Sequence, residues 1–395
     1  MIRRQVAVVG IGQTPFARKS GRTAWDLALD AALEALDDAG LPAVEVDGLV
    51  RYALPTEYVT IPMMQRSLGI RELRYYAEAP LGGEATSAVV NHAVAAIASG
   101  QASVVLVWRA LNQSVGVRFG RADQRLPLVS GEQDVVVPED GENRSLTWPY
   151  GQMSPAHIFG LWARRYMYEN GLSDDDLTRA LGSLAIQQRL YANNNPGAVF
   201  YDRRLTWDEY EHARWISKPI RLFDMCLEND GACALLLVDA QRARDLGVEP
   251  VYVLGVTQSL ASYKEPMGLY GADLMDWFPQ AAVDRLYAQA GVSPTDISVA
   301  ELYDATSFMP LKSLETYGLV PRGQAWKHLI EHGTGLDSPL PVNTHGGFLS
   351  EGYIHGMSTI TEAVRQLRGT ARNQVPDAQV ALCGASFGSA LILGR

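Results

Sequence analysis

The sequence predicts an α/β fold built from two similar halves, and three internal repeats support this prediction. In the first repeat, a short β-branched strand runs into a glycine, as "VAVVGIGQT" at 6–14 and as "VYVLGVTQS" at 251–259. In the second, an amphipathic helix ends at Ala-Gly and a polar turn leads to a strand, as "DDAGLPAVEVDGLV" at 37–50 and "AQAGVSPTDISVAEL" at 288–302.

The third repeat contains glycine-rich turns that open a helix and lead to an apolar strand. The stretch 80–108, "PLGGEATSAVVNHAVAAIASGQASVVLVW", corresponds to "GGFLSEGYIHGMSTITEAVRQL" followed by "AQVALCGASFGSALILG". Because strands alternate with helices, each half is expected to form a parallel-rich sheet covered by helices. Two such layers should pack together, with active residues on loops from both halves.

The repeats divide the chain into an N-terminal half at 1–248 and a C-terminal half at 249–395. A segment at about 113–218 interrupts the first half and is rich in Arg, Trp, Tyr and Pro. It is too long for a simple connection, so we expect a loop domain of helices and loops laid over the core. Such segments commonly carry ligand contacts.

The composition argues against several classes of function. The formal net charge of −10 favours neither nucleic acid nor an anionic membrane as the main partner. No run of about 18 apolar residues predicts a membrane span. The apolar run after the two N-terminal arginines is short, which indicates a buried first strand and not a secretion signal.

Cysteine usage points to a reducing compartment. Cys226, Cys233 and Cys383 form no CxxC or Cys/His spacing, so neither a disulfide nor a structural metal site is expected. An odd number of cysteines in an acidic chain suits the cytoplasm.

Five motifs, in order and over nearly the whole chain, resemble the thiolase superfamily, most closely its sterol-carrier-protein-type branch. They are "ASGQASVVLV", "GLSDDDLTRALGSLAIQQRLYANNNPGAVF", "RWISKPIRLFDMCLENDGACALLLVDAQRARDLG", "VAELYDATSFMPLKSLETYGL" and "VNTHGGFLSEGYIHG". The resemblance implies a thiolase fold, with duplicated halves forming a five-layered α-β-α-β-α core. It also implies a CoA-thioester ligand.

Most of the thiolase catalytic positions hold other residues here. The family's cysteine nucleophile stands at a helix N-terminus, where the helix dipole lowers its pKa, and counting from "ASGQAS" places Gly83 there. The first histidine motif reads "ELYDAT" and the second "GGFLSEGYIHG", which places Tyr303 and Tyr353 at the two histidines. Cys383 in "ALCGASFG" matches the fourth element.

These replacements predict a different reaction at the same carbon-carbon bond. Without a nucleophile at Gly83, an acyl-enzyme cannot form by the thiolase route. Cleavage of a β-hydroxyacyl-CoA needs no acyl-enzyme. A base takes the hydroxyl proton, the Cα–Cβ bond breaks, and an acid protonates the resulting enolate. Tyr303 and Tyr353 are the predicted acid and base of this retro-aldol cleavage.

Further residues near the motifs are expected to support these tyrosines or line the pocket: Asp304, His345, His355, Cys383, Gly83, Gly347 and Gly384. Asp304, His345 and His355 are candidates for a proton relay. A structural hydrogen bond is the alternative for Asp304, and a helix cap is the alternative for His355. Backbone N–H groups of "CGASFG" and "GGEA", or a tyrosine hydroxyl, could stabilise the enolate oxygen.

The chain is most similar to the thiolase-like steroid side-chain aldolases of bacterial sterol catabolism. That resemblance implies cleavage of a 17-hydroxy steroid C20-carboxyl-CoA to a 17-ketosteroid and propionyl-CoA. It also implies an OB-fold acyl-CoA-associated partner, in a heterotetramer around a thiolase-type homodimer. CoA is part of the substrate, no prosthetic group is expected, and Arg164 or Arg165 could contact its phosphates.

Two alternatives stay open from the sequence. The first is a thiolase-type acyltransferase with another nucleophile, Cys226 or Cys233. The second is a non-catalytic acyl-CoA or sterol carrier subunit that binds its ligand without turnover.

Overall fold

A computed structural model describes residues 3–52, 59–79, 86–115, 148–152, 154–260, 278–385 and 388–395. The strands are β1 (Val6–Gln13), β2 (Gly48–Tyr52), β3 (Tyr75–Ala79), β4 (Val104–Asn112), β5 (Trp215–Ser217), β6 (Ile220–Arg221), β7 (Asp230–Asp239), β8 (Val251–Ser259), β9 (Val299–Leu302), β10 (Val380–Gly384) and β11 (Gly388–Gly394). The helices are α1 (Ala24–Ala39), α2 (Ile61–Ser67), α3 (Thr86–Ala98), α4 (Pro155–Asn170), α5 (Asp174–Ala192), α6 (Trp207–Glu211), α7 (Ala240–Asp245), α8 (Gln280–Ala290), α9 (Phe308–Thr316), α10 (Ala325–Glu331) and α11 (Met357–Arg368).

The large sheet repeats one strand order twice. Within the described residues it has nine strands in the order β3-β2-β4-β7-β1-β8-β11-β10-β9. The order β2-β4-β7-β1 of the first half therefore matches β9-β10-β11-β8 of the second. The half-sheets join where β1 pairs with β8, at Ala7 with Tyr252 and Val8 with Val251. The duplication inferred from the sequence is thus present in the topology.

The strand directions are more mixed than the expected parallel-rich sheets. The strands β2, β3 and β4 are parallel neighbours, and so are β9 and β10. The strands β7 and β11 run antiparallel to their neighbours. The turn between β10 and β11 is too short for a crossover helix, so these strands must be antiparallel.

Five layers form because two helices lie between the half-sheets. Helix α1 covers the outer face of the first half-sheet, and α8 covers the second. Helices α3 and α11 each contact strands of both half-sheets. This is the α-β-α-β-α arrangement of the thiolase fold, as the sequence predicted.

Close contacts between the outer helices and the sheet require glycine at equivalent strand positions. A Cβ on Gly10 of β1 would lie 2.0 Å from the Ala35 carbonyl oxygen of α1. On Gly255 of β8, it would lie 2.8 Å from the Leu286 oxygen of α8. Any side chain at either glycine would therefore push helix and strand apart.

The described part of the middle segment is largely helical. It contains α4, α5, α6 and β5, which pairs with β6 just after the segment. Helix α5 packs against α10 and a π-helical turn at Gly347–Glu351. The division at residues 248 and 249 and the limits of the loop domain remain predictions. No helix in the described ranges is long and apolar enough to cross a membrane.

A buried polar cluster joins the two halves to the middle segment. Its members are Gln13, Asn195, Glu301, Thr344, His345, Glu351, Glu362 and Gln366. His345 Nδ1 lies 2.9 Å from Glu301 Oε2, and His345 Nε2 lies 3.8 Å from Glu351 Oε2. Burial alone would lower the pKa of His345, but Glu351 and Glu301 outweigh it and raise that pKa to about 10.

The cluster therefore holds His345 as an imidazolium beside Glu301 and Glu351 at neutral pH. Glu351 Oε1 also accepts hydrogen bonds from Gln13 Nε2 of β1 and Asn195 Nδ2 after α5, both at 2.9 Å. Removing one member of such a buried set leaves a charge without its partner, which costs about 3–5 kcal/mol. The cluster fixes the chain segment that leads into the π-helical turn.

The cluster predicts a stability loss at alkaline pH. The pKa of His345 is about 10 in the folded protein and about 6.5 in an unfolded chain. Its stabilising contribution is therefore fully present below about pH 6.5 and disappears as the pH rises through about 10. Burial raises the pKa of Glu351 from 4.5 to about 7. The stability that is lost when Glu351 ionises is therefore lost mostly below about pH 7, before the change due to His345 is complete.

Thermal melting followed by circular dichroism between about pH 7 and about pH 10 measures the effect. The wild-type melting temperature should fall more steeply than that of His345→Gln, which lacks the titrating ring. Parallel curves for the two proteins would contradict the assignment of an imidazolium at this position.

Candidate active site

Tyr303 and Tyr353 meet in the interior of the second half. Their hydroxyl oxygens are 2.8 Å apart, which is a hydrogen bond, and each residue is 7% exposed. The rings meet edge to face with centroids 6.3 Å apart. The structure thus brings together the two residues that the sequence resemblance places at the thiolase histidines.

Tyr303 is positioned by the carboxyl ends of two parallel strands. It follows β9 directly, and its backbone N–H donates to the Gly384 oxygen of β10 at 2.8 Å. Asn343 secures the end of β9, because its side-chain oxygen accepts from Leu302 N at 2.6 Å and its amide donates to Leu302 O at 2.9 Å. A Cβ on Gly384 would lie 2.4 Å from the Tyr317 ring, so glycine is required beside Tyr303.

Tyr353 is positioned by a residue of the other half. It follows the π-helical turn, and its backbone N–H donates to Asn229 Oδ1 at 2.6 Å. The Asn229 amide donates back to the Tyr353 carbonyl at 3.3 Å. Asn229 is completely buried and immediately precedes β7. Phe348 fills the space beneath, with its ring edge-on to both tyrosine rings.

The phenol of Tyr353 stays protonated at neutral pH. Burial raises its pKa well above the usual value, and the nearby Tyr303, Cys226 and Tyr52 raise it further. A protonated phenol can donate one hydrogen bond and accept another at the same time. One hydroxyl of the pair can therefore take up a proton while the other releases one, without an isolated buried phenolate.

Asp304 and Gly347 belong to the support of the π-helical turn. Asp304 Oδ2 accepts a hydrogen bond from Phe348 N at 2.9 Å, and burial raises the pKa of this carboxyl to about 7. Gly347 has a left-handed φ of +61°, and a Cβ there would lie 2.3 Å from Asp304 Oδ2. This hydrogen bond favours the structural alternative for Asp304, and its role remains a prediction.

His345 lies behind Phe348 and not against the phenols. Its ring is edge-on to Phe348 with centroids 6.4 Å apart, and its nitrogens face Glu301 and Glu351. These contacts place it in the polar cluster described above. A positioning role follows from this placement, whereas direct proton transfer to a phenol does not.

His355 packs directly on Tyr353 and does not cap a helix. The two ring centroids are 4.6 Å apart in a T-shaped contact. Helix α11 begins after Gly356 without a side-chain cap, which removes the alternative of a helix cap for His355. Arg109 Nη2 on β4 lies 2.7 Å from His355 Nδ1. Burial, and then the Arg109 charge, hold the pKa of His355 well below its usual value, so this ring is neutral.

All three cysteines lie in the described residues, and none begins a helix. Cys383 is buried on β10, where its thiol donates to the Thr359 oxygen at 3.7 Å, and Cys233 is buried on β7. Cys226 is half-buried near Tyr353. Burial raises the pKa of each thiol, which disfavours the nucleophilic thiolate.

Several predicted positions contribute no described contact to this site. Gly83 and its "GGEA" turn lie outside the described residues, as do Ser386 and Phe387 of "CGASFG". Arg164 pairs with Asp174 and Arg165 with Glu169 on the exposed side of α4. In the described ranges, no group of three or more His, Cys, Asp or Glu side chains is arranged to hold a metal ion.

Sequence reasoning missed three residues of the site: Asn229, Arg109 and Tyr52. A signal existed for Arg109, because it is the one charged residue in the apolar run "VVLVWRALN". An arginine at 1% exposure in a central strand must have a partner nearby. Nothing local marks Asn229 or Tyr52.

Comparisons with known proteins bear on the family of this chain. Residues 272–391 match the family described as thiolase C-terminal domain-like. A 17-hydroxy-3-oxo-4-pregnene-20-carboxyl-CoA lyase of Mycobacterium tuberculosis is 38% identical over the full length of both chains. A steroid side-chain-cleaving aldolase of Thermomonospora curvata is 38% identical over 98% of this chain and 97% of its own.

Solved structures show the same relationship. The structure described as "Ltp2-ChsH2(DUF35) aldolase" superposes with a TM-score of 0.89 at 36% identity, covering 100% of this chain and 98% of that one. Human mitochondrial 3-ketoacyl-CoA thiolase, at 20% identity and full coverage of both chains, has a TM-score of 0.69 and shares the fold. The chain therefore belongs to the family of thiolase-fold, steroid side-chain-cleaving aldolases.

Proposed function

We propose that this chain cleaves a 17-hydroxy steroid C20-carboxyl-CoA into a 17-ketosteroid and propionyl-CoA. The observation that carries the proposal is the 2.8 Å hydrogen bond between the buried hydroxyls of Tyr303 and Tyr353. Both relatives at 38% identity bear names of lyases or aldolases that act on steroids. The proposal assigns the acid and base of their reaction to this pair.

The reaction balances with no external reagent. The β-hydroxyl proton leaves its oxygen, the oxygen's electron pair forms the ketone, and the Cα–Cβ bond breaks toward the thioester. The electrons reside on the enolate until the α carbon takes up a proton. One proton is lost and one is gained, so the enzyme only has to move a proton from oxygen to carbon.

Two neutral phenols suit a reaction in which the substrate loses one proton and gains one. One phenol accepts the substrate proton while it passes its own to the other, and the second phenol gives its own proton to the α carbon in the same concerted step, so that each oxygen keeps one proton. Because burial keeps the pKa of Tyr353 high, a free phenolate would be unfavourable, and concerted transfer through the hydrogen bond avoids it.

Acyl transfer is disfavoured by the same structure. A thiolase-type mechanism needs a thiolate at a helix N-terminus, and the thiols of Cys226 and Cys233 are neutral and lie in a loop and a strand. A non-catalytic carrier subunit would only bind its ligand, so it would not need two hydrogen-bonded hydroxyls in its interior.

We also propose an OB-fold acyl-CoA-associated partner, in a heterotetramer around a homodimer, and a cytoplasmic location. Support for a partner comes from the "Ltp2-ChsH2(DUF35) aldolase" structure, which superposes over the whole chain. CoA enters as part of the substrate, and the residues that contact it are left unassigned.

Substituting either tyrosine should interrupt proton transfer between the two hydroxyls. Tyr303→Phe and Tyr353→Phe are each expected to lower kcat at least about tenfold, because each deletes one hydroxyl of the proton path. Release of propionyl-CoA from the steroid thioester, followed by mass spectrometry, measures the rate.

Tyr191→Phe is the matched control. Tyr191 is also a buried tyrosine, and its hydroxyl makes one hydrogen bond, of 2.8 Å to the Thr334 oxygen, outside the site. Each variant deletes a hydroxyl that makes a buried hydrogen bond, and such a bond is worth about 1 kcal/mol of stability. Full activity in both site variants would exclude the tyrosine mechanism.

Removing the candidate thiols separates aldol cleavage from acyl transfer. A Cys226→Ala, Cys233→Ala double variant should keep kcat within about threefold, because no covalent intermediate is required. Loss of activity in this folded variant, with a cysteine acyl adduct in wild type by mass spectrometry, would favour the acyltransferase instead.

The partner can be tested with the same assay. Co-expression with an OB-fold acyl-CoA-associated protein should yield a co-purifying complex and raise turnover above that of the chain alone. If the two proteins do not co-purify and the turnover rate is the same with and without the OB-fold protein, a required partner is contradicted.

A further inference from the structure

The completely buried side chain of Asp230 has no part in the tyrosine mechanism, yet it lies one residue from Asn229, which holds Tyr353. Asp230 is the first residue of β7. Its carboxylate accepts hydrogen bonds from Ser20 N at 2.8 Å, Ser20 Oγ at 2.9 Å, Ser114 N at 2.9 Å and Ser114 Oγ at 2.7 Å. None of these four donors in the described part of the chain is a cation, so the buried carboxylate depends on the complete set of hydrogen bonds.

Asp230 and Asn229 lie on opposite faces of the sheet. Successive side chains of a strand alternate between the faces, and alternate residues of β7 belong to different parts of the core. The core that contains both tyrosines includes Cys233, Leu235 and Leu237, whereas the core beneath α1 includes Ala232, Ala234, Leu236 and Val238. Asn229 therefore continues the face of the tyrosines, and Asp230 continues the opposite face. The start of β7 is held on one side by two serines and holds Tyr353 on the other.

The loop after β1, residues 14–20, contacts both segments that meet at Tyr353. Its Phe16 ring packs on two glycines, since a Cβ on Gly231 would lie 2.2 Å from Phe16 Cδ1 and a Cβ on Gly352 would lie 2.4 Å from Phe16 Cγ. The backbone of this loop also exchanges two hydrogen bonds, of 3.1 and 2.7 Å, with the first residue of β7. A displacement of the loop would therefore reach Tyr353 from both sides.

We propose that Asp230 is a positioning residue for Tyr353 and that it acts through Asn229. Its hydrogen bonds to the serines fix the start of β7, where the Asn229 amide holds the backbone of Tyr353 at N, 2.6 Å away, and at O, 3.3 Å away. The Tyr353 hydroxyl is thereby kept 2.8 Å from that of Tyr303. The inference rests on the proposed aldolase function, which requires these two oxygens to stay within hydrogen-bonding distance.

Removing the two serine hydroxyls tests this role without deleting the buried carboxylate. The double variant Ser20→Ala, Ser114→Ala keeps both backbone N–H donors and loses two of the four hydrogen bonds. Its kcat should fall about tenfold, because a small displacement of a catalytic group slows a reaction steeply. Its KM should stay within about twofold of wild type, since substrate contacts are retained. The double variant Ser20→Thr, Ser114→Thr retains both hydroxyls and should recover most of kcat.

Ser183→Ala is the matched control. The Ser183 hydroxyl lies on α5 outside the site and makes a hydrogen bond of 2.9 Å to the Leu329 oxygen. This variant loses the same type of bond and should keep the wild-type kcat. Circular dichroism at the assay temperature verifies that each protein is folded. A lower melting temperature with wild-type kcat in the Ser20, Ser114 alanine variant would overturn the positioning role.

The ¹³Cζ resonances of Tyr303 and Tyr353 report on their hydroxyl hydrogen bond without any need for turnover. In protein labelled at tyrosine Cζ, each resonance is identified by its loss in the corresponding Tyr→Phe variant. Both resonances should move in the alanine double variant, return toward their wild-type positions in the threonine double variant and stay unmoved in Ser183→Ala. Unmoved resonances in the alanine double variant would overturn the inference whether or not kcat falls.

The two readouts separate this inference from the proposed function. Moved resonances in the alanine double variant, in a protein whose wild type releases no propionyl-CoA, would support the positioning role and reject the aldolase. Unmoved resonances and an unchanged kcat, in a protein whose wild type cleaves the steroid thioester, would reject the positioning role and leave the aldolase standing.

Discussion

The hydrogen bond between Tyr303 and Tyr353 depends on chain segments that converge from three directions. Tyr303 is held at the end of β9 by the Gly384 carbonyl, and Tyr353 is held by Asn229 from the first half. Both hydroxyls are nearly excluded from water, so neither can exchange this bond for one to solvent without opening the interior. The proposed chemistry needs that constraint, because a proton shuttle works only while its two oxygens stay within hydrogen-bonding distance.

The duplicated fold explains how two halves can build one site. The half-sheets face each other across α3 and α11, so the segment between the π-helical turn and α11 reaches Asn229, just before β7, and Arg109 on β4. The C-terminal half supplies the phenols, and the N-terminal half supplies Asn229 and Arg109. The buried cluster around His345 fixes the segment that leads into the π-helical turn. Its contacts are with carboxyl and amide groups and not with the two phenols.

Much of the fold was predictable because its determinants are local. The repeat of helix, Ala-Gly stop, polar turn and strand corresponds to left-handed Gly40 and Gly291 at the ends of α1 and α8, both with φ of +64°. Such glycines act within one turn of chain, so the sequence displays them directly. Strand direction was less accessible, since it depends on whether a short turn or a crossover helix joins two strands.

The proximity of the two tyrosines could be expected because both lie in motifs that resemble those of the thiolase histidines, whereas their partners could not be expected. Asn229 lies 124 positions from Tyr353, and no periodicity in the sequence connects them. The relay proposed for His345 came from its nearness in the chain, yet Phe348 intervenes in space. The role expected for Gly83, the vacated nucleophile position, remains a prediction.

A crystal structure with an unreactive analogue of the 17-hydroxy steroid thioester would test the central claim most directly. We predict that the two phenol oxygens remain hydrogen-bonded and that one of them lies within about 3.2 Å of the ligand's β-hydroxyl. An analogue bound with that hydroxyl walled off from both tyrosines, or phenols drawn apart around it, would contradict the account.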